Sequence, residues 1–319
     1  MKIALAGEGA IARRQVAAVE RIDGVEIATV SGGDEQDTKD FASEFDIPHW
    51  TLDLDEALSR PGVEAVILAS PTPLHASQAI AALEAGKHTL VEIPMADNLA
   101  DSRAVVAAQE RSSRVAMVCH TRRFNPSHQW VRQRIESGEF QIQHFVVETF
   151  FFRRENKNAL GKPRSWTDHL LWHHACHTVD LFQYQVGEVA NRVWAQQGPI
   201  HEELGVAMDM TVGLGTPSGA ICTLALSFNN EGPFGSWFRY IGDSGTYIAR
   251  YDDLTDGQGE AIDVSGVSRY QDGIEIQARE FFAAIDEGRE PNASVAQALD
   301  AMGTLHRLEL TLGSDQEKS

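Results

Sequence analysis

The sequence contains few cysteines, and they stand far apart. Cys119, Cys176 and Cys222 form no CxxC pair and are odd in number, which excludes a disulfide framework and a cysteine-based metal knuckle. Long apolar runs are also missing, since none approaches the roughly 20 residues that a membrane span needs. Met1 leads directly into a strand-like segment rather than a signal peptide. These absences predict a cytoplasmic protein with buried thiols and no membrane partner.

Positive charge is scarce as well. The chain has 27 lysines and arginines against 46 aspartates and glutamates, a formal net charge of −19. Such a chain repels phosphate backbones, so we expect no nucleic-acid partner. Against this background, basic residues cluster between residues 122 and 164: Arg122, Arg123, Arg153, Arg154, Lys157, Lys162 and Arg164. The cluster is either a solvated face or a pocket for a small polyanion.

Histidine is concentrated in one stretch, residues 164–180, which holds four of the twelve histidines. At about 100° per residue, a helix would carry on one face His169, His173, His177 and Asp180, with His174 about a quarter turn away. This arrangement predicts a concentration of proton-transfer groups. A zinc ion shared by two histidines four residues apart is the alternative. No cysteine or carboxylate stands at an obvious third-ligand spacing, so we predict no metal.

The N-terminal segment has the pattern of a strand, a glycine-rich turn and a helix. Residues 2–6 form a short, mostly apolar run, the turn begins at Gly7, and a helix-like segment runs through Val19. Gly7 permits a tight turn, and Gly9 lets a pyrophosphate approach the backbone at the helix N-terminus. A second strand at residues 25–30 completes a βαβ unit. The predicted cofactor-binding residues of this turn are Gly7, Gly9, Ala10, Ile11, Ala12 and Arg13.

The end of the second strand bears on the choice of cofactor. NAD enzymes usually carry aspartate or glutamate there for the ribose 2′-hydroxyl, whereas this chain has Ser31, Gly32 and Gly33. Arg13 and Arg14 open the first helix, so a 2′-phosphate would meet donors rather than repulsion. The pattern therefore favours NADP, with NAD as the alternative.

The rest of the chain predicts an α/β protein of two domains. Regular alternation of short strands and helices over residues 1–120 predicts a Rossmann domain with a doubly wound parallel sheet. Ligands of such sheets bind at the carboxyl ends of the strands. We therefore expect the nicotinamide to lie beside Ser70, Pro71, Thr72, His75, Glu92, Ile93 and Pro94.

Residues 121–319 show mostly strands, which predicts an α+β domain with a large, mostly antiparallel open sheet. A helix over residues 172–186 is expected to cover one face of this sheet. The other face is then free to pack against a second copy, so we predict a homodimer formed through the C-terminal sheet.

Three segments, residues 69–75, 81–88 and 91–94, resemble the Gfo/Idh/MocA family of dehydrogenases. That family typically has Glu-Lys-Pro at 92–94 and an Asp-x-x-x-His pair on a helix, and its histidine often serves as the base. Here Ile93 replaces the lysine and His173 replaces the aspartate, while His177 keeps the histidine position. The resemblance implies that His177 is the catalytic base, and that His173 hydrogen-bonds the reacting oxygen or relays the proton.

A narrower branch of the family shares Glu-Ile-Pro and the runs at residues 121–128 and 164–174. The resemblance implies a dicarboxylate substrate that closes to a cyclic hemiacetal, which NADP⁺ oxidises to the lactone 2-pyrone-4,6-dicarboxylate. A hemiacetal hydroxyl is more acidic than a sugar alcohol, so the missing lysine is tolerable. The expected substrate-binding residues are Arg122, Arg123, Arg164, Trp166, Asp168, His169 and His174.

Two other functions are kept open by the replaced lysine. One is a dehydrogenase of the same family that acts on a sugar acid or a cyclic dihydrodiol. The other is a dinucleotide sensor without catalytic activity. The retained His177 and the basic cluster favour an enzyme.

Overall fold

The computed structural model describes residues 1–158, 160–164 and 166–316, and the side chains up to residue 313. Ser165, in the histidine-rich stretch, lies outside this part of the chain. Two compact units form, one from residues 1–119, 157–166 and 274–299, the other from 120–156, 167–273 and 300 onward. This division is more interleaved than the two continuous domains, 1–120 and 121–319, expected from the sequence.

The first unit contains a six-stranded sheet in the order β3-β2-β1-β4-β5-β6, with every pair parallel. Its strands are β1 Lys2–Ala6, β2 Glu26–Ser31, β3 Trp50–Thr51, β4 Val63–Leu68, β5 His88–Val91 and β6 Ala116–Val118. Its helices are α1 Ala10–Val19, α2 Glu35–Glu44, α3 Leu54–Ser59, α4 His75–Glu84 and α5 Leu99–Ser112. The predicted doubly wound parallel sheet is confirmed. Strand order reverses between β1 and β4, the position at which such sheets bind ligands.

Three helices of this unit, α2, α3 and α5, begin at polar side chains. Asp34 accepts the N–H of Asp37 at the start of α2, and Asp53 and Asn98 cap α3 and α5 in the same manner. Each carboxylate or amide oxygen satisfies an N–H group that the first helical turn leaves unpaired. These caps fix where the chain leaves the sheet edge and turns back along it.

The second unit contains a seven-stranded sheet in the order β13-β12-β11-β7-β10-β9-β8. Its strands are β7 Ile142–Phe150, β8 Arg192–Gln197, β9 Asp209–Gly215, β10 Ile221–Ser227, β11 Gly235–Gly242, β12 Thr246–Arg250 and β13 Asp253–Asp256. Only β7 and β10 pair in parallel among the pairs within it. The predicted mostly antiparallel open sheet is therefore confirmed.

The remaining helices are α6 Pro126–Glu136, α7 Cys176–Val186, α8 Gly273–Glu287 and α9 Val295–Gln316. Ser294 caps α9 by accepting the N–H of Gln297 at 3.1 Å. The ring of Phe145 on β7 stacks on Phe182 of α7, with centroids 6.1 Å apart, so α7 packs on one face of the sheet. Among the described helices, none is both long and apolar enough to cross a membrane.

The histidine-rich stretch does not form the single regular helix expected. Leu170–Ala175 is a π-helical turn, and α7 begins only at Cys176. His169 precedes the turn with extended backbone, φ −120° and ψ 163°. A π-helical turn is wider than an α-helical turn, so positions four residues apart no longer align. The predicted face is therefore wrong for His169 and His173, whereas His177 and Asp180 lie three residues apart on α7 and share one face.

Candidate active site

The glycine-rich turn between β1 and α1 has the geometry that a pyrophosphate needs. Gly7 has φ +106°, and a Cβ there would lie 2.4 Å from the carbonyl oxygen of Ala69. A Cβ on Gly9, by contrast, would meet nothing within 4 Å, and no side chain caps α1 at this residue. Open space therefore lies beside Gly9, at the terminus of the helix that begins with Ala10, Ile11 and Ala12. These residues fit a dinucleotide.

The end of β2 is hydrogen-bonded to this glycine-rich turn. The N–H of Gly7 donates to the carbonyl of Ser31 at 2.7 Å. Gly32 is packed against Thr38, whose Oγ1 would be 1.9 Å from an added Cβ. Glu8 reaches across, and its Oε1 accepts the N–H of Gly33 at 2.9 Å. The sequence analysis did not single out Glu8, although its position between Gly7 and Gly9 places it in the cofactor turn.

Arg13 is not brought to the end of β2. Its guanidinium pairs with Glu44 and lies over the rings of Phe41 and Phe45, at 5.5 and 5.4 Å from their centroids. These contacts hold Arg13 against α2. Its expected role toward a 2′-phosphate stays a prediction that the geometry does not support.

The loops after β4 and β5 are tied together by His75. Its Nδ1 lies 2.8 Å from the carbonyl oxygen of Pro94, and its Nε2 lies 2.9 Å from that of Ser70. Pro71 precedes a short 3₁₀ turn, in which Thr72 is buried. Burial lowers the pKa of His75, although both carbonyls oppose that shift. The structure thus brings together the residues predicted to lie beside the nicotinamide.

Glu92 sits in the same region as a buried carboxyl group. Its Oε1 accepts the side-chain N–H of Gln15 at 2.6 Å. Burial raises the pKa of Glu92, although hydrogen bonds from Gln15 and Cys119 oppose the shift. The next residue, half-buried Ile93, is apolar where the resembling family has a lysine.

In the second unit, Arg123 is committed to a buried ion pair. Its Nε and Nη2 donate to the two oxygens of Asp180 at 2.8 and 2.6 Å. Burial opposes ionisation of Asp180, but the charges of Arg123 and His120 outweigh it and lower its pKa. Both oxygens and the planar fork of Arg123 are engaged. Arg123 therefore has the geometry of a structural residue rather than that of a substrate ligand.

His120, which sequence reasoning also missed, lies beside this pair. Its Nδ1 is 3.4 Å from Oδ2 of Asp180, and the side chain is fully buried. Burial lowers the pKa of His120 to about 4, even though Asp180 opposes the shift. Its position directly after β6, at the carboxyl end of a parallel strand, was the signal available in the sequence.

Asp168 and His174 form a second charged group. Nη2 of Arg153 donates to Oδ2 of Asp168 at 2.9 Å, and Nε2 of His174 lies 3.2 Å from the same oxygen. Burial opposes ionisation of Asp168, yet His174 and Arg153 lower its pKa. The ring of His174 also packs against Phe228 at a centroid distance of 5.0 Å. Asp168, expected to bind the substrate, thus orients His174 and pairs with Arg153.

His169 and His173 contact each other across the start of the π-helical turn. The backbone N–H of His169 donates to Nδ1 of His173 at 3.1 Å. Burial, with help from His169, lowers the pKa of His173 to about 3. Because Nδ1 accepts a hydrogen bond, the neutral ring carries its proton on Nε2. In this tautomer His173 presents a hydrogen-bond donor at Nε2.

His177 differs from its neighbours. Its side chain is half-buried, and Nδ1 is buried without a hydrogen-bond partner among the described residues. Burial lowers the pKa of His177 well below 6.5, and the charges of Arg122, His120 and His174 add to that effect. The imidazole is consequently neutral at neutral pH and can accept a proton.

Arg122 and Arg164 are held by aromatic rings. The guanidinium of Arg122 lies 4.7 Å from the ring centroid of Tyr251, and its Nη1 donates to Oδ1 of Asn125 at 3.3 Å. Arg164, in the first unit, lies 5.2 Å from the ring centroid of Trp166. Among the described residues, no three histidine, cysteine, aspartate or glutamate side chains are grouped so that they could hold a metal ion.

The structure resembles solved dehydrogenases along nearly its whole length. Levoglucosan dehydrogenase, solved with NADH and L-sorbose, has a TM-score of 0.87 at 21% identity, covering 98% of this chain and 97% of that one. An oxidoreductase from Agrobacterium radiobacter, solved with NAD⁺, L-tartaric acid and magnesium, has a TM-score of 0.83 at 20% identity, covering 99% and 97%. At 20–21% sequence identity, this structural similarity shows that the chain shares the fold of these enzymes.

Sequence comparison identifies the family. Residues 1–120 match the oxidoreductase family with an NAD-binding Rossmann fold, and residues 126–268 match the C-terminal region of bacterial oxidoreductases. The scyllo-inositol 2-dehydrogenase (NAD(+)) of Bacillus subtilis (strain 168) is 23% identical over 86% of this chain and 82% of its own. The 4-carboxy-2-hydroxymuconate-6-semialdehyde dehydrogenase of Sphingobium sp. (strain NBRC 103272 / SYK-6) is 55% identical over 98% of this chain and 99% of its own. The chain therefore belongs to the Gfo/Idh/MocA family of oxidoreductases.

Proposed function

We propose that the protein oxidises the cyclic hemiacetal of 4-carboxy-2-hydroxymuconate-6-semialdehyde to 2-pyrone-4,6-dicarboxylate, in the protocatechuate 4,5-cleavage route of aromatic degradation. The observation that carries this proposal is the 55% identity, over 98% of the chain, to a dehydrogenase named for that substrate. The hemiacetal carbon gives up a hydride and its hydroxyl gives up a proton, so that a lactone carbonyl forms. A bound nicotinamide dinucleotide supplies the hydride acceptor.

His177 is the group we assign to the proton. Its lowered pKa keeps the imidazole neutral before the substrate binds. A dianionic substrate beside it would favour the imidazolium, and so would raise the pKa of His177 in the complex. The histidine thus becomes a stronger base when the substrate is present.

His173 and Arg122 are assigned to binding. His173 presents a donor at Nε2, because its Nδ1 is occupied by the N–H of His169. We propose that this donor holds the reacting oxygen. Arg122 contributes positive charge close enough to lower the pKa of His177, and a carboxylate of the substrate would be stabilised by the same charge.

The test compares His177→Gln with a control variant, His144→Gln. His144 lies on the second sheet, where its Nε2 is 2.9 Å from Oγ1 of Thr223. Formation of reduced nicotinamide is followed while the ring-cleavage product of protocatechuate is supplied with NAD⁺ or NADP⁺. We expect His177→Gln to lose roughly 100-fold or more in kcat, and His144→Gln to keep wild-type turnover. Near-normal turnover by His177→Gln would show that another group takes the proton.

Other substrates separate this proposal from its alternatives. Turnover of a sugar acid or a cyclic dihydrodiol, with none of the hemiacetal, would assign the protein to another activity of the family. Cofactor binding without turnover of any of these compounds would indicate a sensor. The NADP preference drawn from the sequence remains a prediction, and the assay supplies both cofactors for that reason.

A further inference from the structure

Tyr251 has a backbone conformation that large side chains rarely adopt. It is the first residue of the two-residue turn between β12 and β13, whose end residues Arg250 and Asp253 are paired, and its φ is +54°. Glycine, asparagine and aspartate usually fill such positions, because they tolerate positive φ. A tyrosine there indicates that its ring has a function. We propose that Tyr251 is a positioning residue that holds the guanidinium of Arg122 in the orientation that binds one carboxylate of the substrate.

The contacts of this turn fix its position. The hydroxyl of Ser127, in the first turn of α6, donates to the carbonyl of Tyr251. The side-chain N–H of Asn125, the residue before α6, donates to Oδ1 of Asp252 at 2.6 Å. Gly235 leaves room for the tyrosine side chain, since a Cβ there would lie 2.6 Å from the hydroxyl oxygen of Tyr251. The turn is therefore attached to the start of α6.

Arg122 lies against the ring that this turn presents. Its guanidinium carbon is 4.7 Å from the ring centroid of Tyr251 and 5.6 Å from that of Phe238, and its Nη1 donates to Oδ1 of Asn125 at 3.3 Å. The negative face of an aromatic ring attracts a cation. A guanidinium stacked on a ring keeps its N–H groups in its own plane, where a carboxylate can accept two of them. Burial and then the charge of Arg122 lower the pKa of His177, so the held guanidinium is close to the proposed base.

A carboxylate of the protein lies close enough to compete for the same guanidinium. Burial raises the pKa of Asp252, and Asp272 adds to that shift, whereas Asn125 and Arg122 oppose it. Arg122 is thus within electrostatic reach of Asp252, and a flexible arginine would pair with that residue rather than with the substrate. The ring of Tyr251 holds the guanidinium and so leaves it to the substrate carboxylate.

The inference rests on the proposed function for the identity of that carboxylate, so binding is measured separately from turnover. Calorimetric titration gives the dissociation constant of 2-pyrone-4,6-dicarboxylate, in the presence of NAD⁺ or NADP⁺, for the wild type and two variants. Tyr251→Asn removes the ring and keeps a residue that suits the turn, and we expect it to bind roughly tenfold or more weakly. Tyr251→Phe keeps the ring and should bind as the wild type does. In turnover assays Tyr251→Asn should raise KM with little change in kcat.

Two further variants separate a positioning role from a general loss of structure. Asp252→Asn keeps the acceptor for Asn125 but removes the competing charge, so it should strengthen binding more in Tyr251→Asn than in the wild type. Phe152→Leu is the matched control. It removes a ring whose centroid lies 4.2 Å from the guanidinium of Arg154, an arginine held by backbone carbonyls, and it should leave the dissociation constant unchanged.

Several results would contradict the role of Tyr251. Unchanged binding in Tyr251→Asn, a large fall in its unfolding temperature, or equal weakening in Tyr251→Phe or Phe152→Leu would each overturn it. An equal effect of Asp252→Asn in both backgrounds would overturn it too, as would failure of the wild type to bind the dicarboxylate. Binding of the dicarboxylate without turnover of the hemiacetal would overturn the proposed activity and leave the role of Tyr251 intact.

Discussion

Neighbouring residues of this chain have different tasks because their surroundings differ. Arg122 and Arg123 are adjacent in sequence and both matched the pattern for binding a carboxylate. The structure gives Arg123 a buried carboxylate of its own, Asp180, and places Arg122 over Tyr251 instead. The four histidines divide in the same way: His174 bonds Asp168, His169 contacts His173, and the Nδ1 of His177 is without a hydrogen-bond partner among the described residues.

Substituting the two arginines separately distinguishes their roles. Arg123→Met leaves Asp180 buried and unpaired, so we expect the free energy of unfolding to fall by about 3–5 kcal/mol. Arg122→Met removes a charge from the site, and we expect a roughly tenfold or larger rise in KM with little change in stability. Urea unfolding and steady-state kinetics measure the two effects. Equal loss of stability in both variants would mean that Arg122 is structural as well.

The lowered pKa of His177 predicts the shape of the pH profile. The base is lost when pH falls through its pKa, and kcat/KM reports the pKa of the free enzyme. Because burial and Arg122 place that pKa well below 6.5, kcat/KM should stay level from neutral pH to below 6.5. The acid limb of kcat should lie at higher pH, since the bound dianion favours the imidazolium. An acid limb of kcat/KM at or above 6.5 would contradict the assignment.

Individual helices and strands differ in how far the local sequence determines them. Consecutive apolar residues made β1 and β2 recognisable from the sequence. The π-helical turn Leu170–Ala175 could not be predicted in the same way. A single wide turn is too short to leave a repeating hydrophobic pattern in the sequence. Its neighbours in space have a part in holding it: the buried Trp172 donates its Nε1 proton to Glu309 of α9 at 2.9 Å. Strands β3 and β13, of two and four residues, are too short to carry a periodic pattern in the sequence.

The turn from β1 to α1 provides a matched pair of glycines. Gly7→Ala puts a Cβ 2.4 Å from the carbonyl of Ala69 in a backbone conformation that L-residues rarely adopt, so we expect a loss of roughly 1–3 kcal/mol in stability. Gly9→Ala meets no protein atom within 4 Å. It should fold normally and raise the dissociation constant of the cofactor by roughly tenfold, because the methyl group enters the pyrophosphate space. Thermal unfolding and cofactor titration check both, and unimpaired binding by Gly9→Ala would contradict the assigned cradle.

At the scale of the whole molecule, the exposed face of the second sheet is the surface through which we propose that two copies pair. Along β8 and β10 exposed residues alternate with buried ones: Trp194 is 51% and Ile221 is 42% exposed, while Ala195 and Cys222 are buried. A sheet face with exposed apolar side chains such as these commonly packs against another layer.

Trp194→Glu should convert the dimer to a monomer in light scattering after size-exclusion chromatography, because it places a charge in the interface. Leu310→Glu is the control, since Leu310 is 60% exposed on α9 rather than on the sheet. A monomeric wild type, or a Trp194→Glu variant that is still a dimer, would contradict the proposed pairing.

The sequence by itself determined the fold class, the glycine-rich cofactor turn and the family, since strand alternation and motif spacing are properties of consecutive residues. Tertiary structure alone decided which charges meet. Glu8 reaches the end of β2, 25 residues away in the chain, and Arg123 finds Asp180 at a separation of 57 residues. The pKa values of His173 and His177 were equally beyond the sequence, because burial is their largest cause and burial is set only when distant segments pack together.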